Sequence, residues 1–353
     1  MDALAKIPLQ GLTPEELGLA AGIPLEDARR VVAQVHRDED PATPSAGIRR
    51  ISRLAVVERG HVPTLALVNE KRSALDPFVK VALRRDDGHV VETVRIPLEQ
   101  PGRFSVCVSS QVGCALACAF CATGRMGLTR NLETWEIVEQ VRVIRRGLPE
   151  GGRVHGIVFQ GMGEPMANLD RVLGAIRVLS HPCATSVDQR AMTVCTSGLP
   201  TGIRRLAREA PNVRLGLSIG SALTDTRRRL MPIDRAHALS GEVLDAAVEH
   251  AALTGLAPMW AVTLLAGVND SPAHAEALAD LVHRFRDRTG KNPRLSVIPY
   301  NRIDEADDPF DRTSDDAEAR FRDVLRARSV FTHKRYSGGS DVAAACGQLA
   351  ART

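Results

Sequence analysis

From Phe104 onward, apolar runs of strand length alternate with helical stretches, and nothing else in the sequence restricts the fold as much. The candidate strands are FSVCVS, VHGIVFQG, AMTVCTSG, VRLGLSIG, PMWAVTLLAG, RLSVIPYN and VFTHKRYS, with ETWEIVEQVRVIRRG, LDRVLGAIRVLS and AHAEALADLVHRFRDR among the helices between them. Repeated βα units predict an α/β fold with a parallel sheet, either open and doubly wound or curved into a full or partial barrel. Sites in such sheets gather at the carboxyl ends of the strands. A cysteine-rich loop follows the first strand there, GMGEP the second, CTSG the third and PYN the sixth.

Upstream the pattern differs. TPEELGLAAG and PLEDARRVVAQVHRDED open on Thr or Pro, carry early acidic residues and space their apolar residues as helices do. With the linker PATPSAG (Pro41–Gly47), they make residues 1–47 a helical accessory module. From about Ile48 the pattern turns to strands in HVPTLALVN, FVKVALRR and HVVETVRIPL, with a hairpin turn at Asp86–Gly88. Residues 48–100 are thus expected to form a β-rich extension, and residues 101–353 the catalytic domain.

The stretch SVCVSSQVGCALACAFCATG (Ser105–Gly124) holds four of the chain's seven cysteines: Cys107, Cys114, Cys118 and Cys121. The amino-terminal residues show no basic segment followed by an apolar run, and no apolar stretch reaches bilayer length. A cytoplasmic protein with reduced thiols is therefore expected, and an odd cysteine count also fits a disulfide framework poorly. Cys114, Cys118 and Cys121 are spaced C-x3-C-x2-C. Structural zinc takes four ligands, commonly from two short pairs, and no second pair or nearby histidine accompanies this loop. An iron–sulfur cubane also prefers four thiolates. Three on one tight loop would leave an iron open to a non-protein ligand, which suits catalysis. Net charge is +4, with basic runs at Arg49-Arg50, Arg84-Arg85, Arg145-Arg146, Arg204-Arg205, Arg227-Arg228-Arg229 and Lys334-Arg335. These fit solvated faces or a phosphate-contacting surface, and charge alone does not choose.

The cysteine spacing resembles the signature of the radical SAM superfamily, with Phe120 as the aromatic residue beside the last cysteine. In that superfamily a strand end like GMGEP (Gly161–Pro165) lets backbone approach the methionyl amine of S-adenosylmethionine (SAM). CVSSQVGCALACAFCATG, VVETVRIP, GMGEPMANLD, LMPID and DVAAACGQLA narrow the match. Over about Val90–Leu349 the chain resembles the RlmN/Cfr family of radical SAM RNA methyltransferases. The resemblance implies a partial (βα)6-type barrel with a [4Fe-4S] cluster on Cys114, Cys118 and Cys121. It also implies SAM contacts at Gly163, Glu164, Cys195, Ser218 and Asn301.

Adenine ring carbons flanked by nitrogens are electron-poor and do not attack the electrophilic methyl of SAM. The family's chemistry implies that one SAM methylates a cysteine, matched here by Cys346. A second SAM yields a deoxyadenosyl radical that takes hydrogen from the methylcysteine, and the carbon radical adds to the ring. Glu92 matches the base that removes the ring proton. Cys107 matches the thiol that frees the product through a Cys107–Cys346 disulfide. The resemblance further implies a ribosomal or transfer RNA substrate, with adenine carbon 2 the expected target and carbon 8 the alternative. An electron donor such as flavodoxin or ferredoxin, no membrane partner and a monomeric state go with it.

Taken alone, Cys107 and Cys346 would be small buried residues and Glu92 a solvated strand residue; the resemblance gives them roles. Cys183 matches no family motif. Two departures stand out: CTSG (Cys195–Gly198) where the family has STSG, and SIG (Ser218–Gly220) where it has SLH. Residues 1–40 contain no aromatic residue, although stacking on aromatics is a main source of single-strand RNA recognition. Radical methylation of a non-RNA substrate is therefore a second reading, and an RNA-binding or iron–sulfur sensor protein a third. Retention of Cys107, Cys346 and Glu92 argues against the sensor.

Overall fold

We describe the chain from a computed structural model over residues 6–303, 307–334 and 338–350. The strands of its main sheet, numbered in chain order, are β1 (Ala66–Arg72), β2 (Val79–Arg84), β3 (Val90–Pro97), β4 (Arg103–Val108) and β5 (Arg153–Phe159). They continue with β6 (Met192–Thr196), β7 (Arg214–Ser218), β8 (Met259–Leu264), β9 (Arg294–Pro299) and β10 (Thr332–Lys334). The spatial order is strictly sequential from β1 to β10. Pairs from β1 to β4 are antiparallel. Every pair from β4 to β10 is parallel.

Crossovers between parallel neighbours are right-handed, so a sequential order puts the connecting helices on one side. That is the winding of a barrel; a doubly wound sheet reverses its order partway. Among the described residues β1 and β10 do not pair with each other, so the barrel stays open there, as a partial barrel does. The expected last strand, VFTHKRYS, is seen as Thr332–Lys334; residues 335–337, including Arg335 of the last basic doublet, lie outside the described residues.

The amino-terminal helices form as their sequence suggests. α1 (Pro14–Ala21) starts at a reciprocal capping box between Thr13 and Glu16, with Pro14 in the first position. α2 (Leu25–His36) and α3 (Arg50–Arg59) bring Val31, Val32, Val35 and Val56 onto Leu9 and Leu17, a small core of their own. α3 corrects the expectation of strand from Ile48. Ser52 Oγ and Arg49 Nε both donate to the buried Asp27 carboxylate, at 2.5 and 2.9 Å, a tertiary contact that local pattern does not reveal. The module docks on α4 (Thr134–Arg146), whose Arg142 donates to Asp38 at 2.6 Å and to the Val35 carbonyl at 2.7 Å.

α5 (Leu169–Ser180), α6 (Pro200–Glu209), α7 (Leu244–Thr254), α8 (Pro272–Thr289) and α9 (Asp315–Ala327) complete the outer layer. On α4, Ile137, Val138, Val141 and Ile144 recur at helical spacing and are buried in one core with Val106, Phe159, Val194, Leu217 and Trp260 of the sheet. Gln140, on the same helix, is also buried. Its amide accepts from Ser109 N at 2.8 Å and donates to Ser109 O at 3.0 Å, pinning the backbone just after β4. Several expected basic runs are neutralised within the fold: Arg146 by Asp38 and Glu139, Arg204 by Glu249, Arg205 by Asp170 and Glu209. Among the described residues no helix is long and apolar enough to cross a membrane.

Candidate active site

Register decides which side chains of the antiparallel strands meet. Lys80 faces Val94, Ala82 faces Glu92, and Val94 faces Cys107. Because side chains alternate along a strand, Lys80, Glu92 and Cys107 project from the same face of the sheet. A cavity opens at the carboxyl ends of the parallel strands. Cys107 of β4, Gly161 after β5, Cys195 of β6, Ser218 of β7, Thr263 of β8 and Ile298 of β9 line it. Cys118, Phe120 and Cys121 of the cysteine loop complete one wall, and Ala344–Gly347 of the carboxyl-terminal segment another. That segment is fastened to the loop by Ala122 N donating to Gly347 O at 2.8 Å and by the Thr123 hydroxyl donating to Leu349 O. Cys346 thus reaches the cavity that holds Cys107, and both are thiols.

Cys114 and Cys118 are buried and Cys121 half-buried. Burial pushes the Cys114 thiol up to about 11 and the Cys118 thiol up to about 12, and raises Cys121 in the same direction. Charge on Cys121 and Cys114 raises Cys118 further, and Cys346 acts likewise on Cys121. Loading a metal group here must therefore displace protons. Among the described residues no three His, Cys, Asp or Glu side chains converge as a single-ion site requires. A cubane takes each thiolate on a different iron. Three soft sulfur donors beside an open cavity fit that group.

The turn after β5 is built around Gly163, at φ 96°, where a Cβ would lie 2.5 Å from Gln111 Cβ. Glu164 follows, buried, with its carboxylate accepting from Met166 N at 3.0 Å and Ser197 N at 2.9 Å. It ties the end of β5 to the end of β6. Burial raises the Glu164 carboxyl, against the opposing pull of those N–H groups.

Sequence reasoning missed Arg227, which it grouped with a surface-type basic triplet. The side chain is buried. Nε donates to Asp234 at 2.9 Å, Nη2 to Ser197 O at 2.6 Å, and Nη1 to Ser218 O at 3.0 Å and to Ile219 O. One guanidinium clamps the ends of β6 and β7 to the last residue of LMPID. Leu230, the first residue of that motif, accepts from Ala119 N of the cysteine loop at 2.9 Å. The loop carbonyl of Ala119 is held in turn by Arg125, at 3.0 and 2.9 Å. The signal was present in the sequence, since the triplet runs directly into LMPID.

The departures have local explanations. Gly220 has φ 64°, and a Cβ there would lie 2.5 Å from Met231 Sδ, so no side chain enters the cavity at this point. Cys195 is buried with its sulfur over Gly216 of the neighbouring strand. Cys107, Cys118, Cys121, Gly163, Glu164, Cys195, Ser218 and Cys346 share the cavity. Cys114, Glu92 and Asn301 are buried outside its lining. Glu92 sits behind the wall with Oε1 3.0 Å from Lys80 Nζ and Oε2 accepting from Ala350 N at 3.0 Å. Cys183 packs at the edge of the amino-terminal core, away from the cavity.

Comparison with known proteins agrees with this architecture. The model of the radical SAM superfamily matches residues 108–281. A probable RNA methyltransferase from Sorangium cellulosum is 58% identical, with 96% of this chain and 91% of the relative covered. The dual-specificity RNA methyltransferase RlmN of Syntrophobacter fumaroxidans is 40% identical over 85% of each chain. The crystal structure of a radical SAM methyltransferase from Sphaerobacter thermophilus superposes with a TM-score of 0.86 at 37% identity, covering 98% of this chain and all of the other. With a sequential open barrel, a three-cysteine loop at its mouth and relatives of this similarity along nearly its whole length, the chain belongs to the RlmN/Cfr family of radical SAM RNA methyltransferases.

Proposed function

We propose that the protein methylates carbon 2 of adenine in ribosomal or transfer RNA, with the methyl carbon carried on Cys346. The observation that supports this most is that Cys107 and Cys346, from segments far apart in sequence, line one cavity with Cys118 and Cys121. A cluster held by Cys114, Cys118 and Cys121 and SAM held near Gly163, Glu164, Cys195, Ser218 and Asn301 supply, when bound, the methyl group and a hydrogen-abstracting radical. The residues of the chain do the rest. Cys346 holds the carbon that joins the ring, and Glu92 takes the proton from the ring carbon. The Cys107 sulfur then attacks the Cys346 sulfur, so that a sulfur–sulfur bond forms as the carbon–sulfur bond breaks, and the carbon leaves with that bond's electron pair and takes up a proton to become the product methyl group. The relatives named as RNA methyltransferases favour an RNA substrate. A flavodoxin or ferredoxin donor, a cytoplasmic location and a monomer belong to the same reading.

Mass spectrometry of RNA nucleosides from cells with and without the gene tests the target, since the carbon 2 and carbon 8 products separate chromatographically. With purified protein, Cys107→Ala should leave a covalent protein–RNA adduct on a denaturing gel and Cys346→Ala none. Normal turnover by Cys107→Ala without any adduct would defeat the methylcysteine route.

A further inference from the structure

We infer that Lys80 is a positioning residue for proton removal: it pins one carboxylate oxygen of Glu92 and leaves the other toward the segment that carries Cys346. The inference rests on the reading of Glu92 as the base. Lys80 Nζ lies 3.0 Å from Glu92 Oε1, and the two side chains are 9% and 2% exposed. In such surroundings, removing one partner of the pair leaves the other buried without its counter-charge. The pair crosses diagonally between β2 and β3, on the face that also presents Cys107.

The second oxygen has a different partner. Oε2 accepts from Ala350 N at 3.0 Å, four residues beyond Cys346 on the same segment. Lys80 therefore occupies one side of the carboxylate and leaves the other to the part of the chain on which the RNA adduct would be carried. In the step, the ring carbon–hydrogen bond breaks and its proton passes to Oε2, displacing the Ala350 N–H. The electron pair of that bond stays with the ring, and Lys80 stays on Oε1 throughout. Lys80 itself touches no reacting atom.

Single-turnover experiments on the holoenzyme with an RNA substrate test this. Lys80→Met keeps the stem and removes the charge, while Lys80→Arg keeps the charge. In Lys80→Met, peptide mapping should still find the methyl on Cys346 and the adduct should still form. Its disappearance should be at least ten-fold slower than in wild type, with Lys80→Arg recovering most of the rate. The Lys80→Met/Glu92→Gln double variant removes both charges and should stall no more than Glu92→Gln alone. Wild-type adduct decay in Lys80→Met, loss of Cys346 methylation in step with the melting temperature, or additive slowing in the double variant would each overturn the inference. Absence of any adduct in Cys107→Ala would instead remove the reading on which it rests, and the inference with it.

Discussion

Arg227→Met offers the sharpest check on how the site is built. The guanidinium is buried and serves Asp234 together with the carbonyls of Ser197, Ser218 and Ile219. Methionine fills much of the space but donates nothing. Asp234 would keep the N–H of Leu239, at 2.8 Å, and a distant, half-exposed Arg228 at 3.7 Å. Breaking a buried ion pair from one side costs about 3–5 kcal/mol. An unfolding entropy of about 2.1 cal/mol/K per residue gives about 0.7 kcal/mol/K for a chain of this length, so Tm should fall by about 5 °C. Arg227→Lys should recover only part of this, because an ammonium cannot span the carbonyls that the planar fork reaches. The measurement is anaerobic thermal unfolding together with iron content after reconstitution. Iron should also fall, because the cysteine loop hangs from Leu230 and the strand ends around the cavity lose their tie. A variant that melts within 1 °C of wild type and loads full iron would show that the clamp does not organise the site, and the reasoning would be wrong.

Three further outcomes are expected. Cys114→Ala, Cys118→Ala and Cys121→Ala should each abolish iron charge-transfer absorption after anaerobic reconstitution, and stoichiometric zinc without iron in wild type would sink the cluster. Gly163→Ala should cost about 2–4 kcal/mol, from its left-handed backbone and the contact with Gln111, and weaken SAM binding by calorimetry; unchanged binding and stability would contradict the turn described. Burial, with Arg142 and Arg145 nearby, lowers His36 to about 3, and burial lowers His250 to about 4. Both stay neutral when folded, so their stabilisation is complete above about pH 6.5 and is lost as pH falls towards those values. Between pH 7 and pH 5 the loss is about 2 kcal/mol for each histidine, and replacing both with Asn should flatten the acid limb by that amount relative to wild type. Parallel pH profiles for wild type and variant would refute it.

Much of this protein could be read along the chain. The βα alternation from Phe104, the capping box at Thr13 and the turn at Asp86–Gly88 are local, because periodicity and turn chemistry act over a few residues. The cysteine spacing is local too, since Cys114, Cys118 and Cys121 lie on one short stretch of chain. Other features depend on which segments meet. Doubly wound or barrel was settled by strand order, which no local pattern encodes. α3 stands where strand was expected, and Asp27 of another helix holds its start through Arg49 and Ser52, contacts that only the fold brings together. Arg227 looked like surface charge until the fold wrapped three carbonyls and Asp234 around it. The sequence names Glu92 and Cys346 through motifs, yet their contact with Lys80 and the cysteine loop arises only when antiparallel register and the returning carboxyl-terminal segment bring them together. Such contacts are fixed by long-range packing, whose partners are chosen by burial and shape rather than by neighbours in the chain.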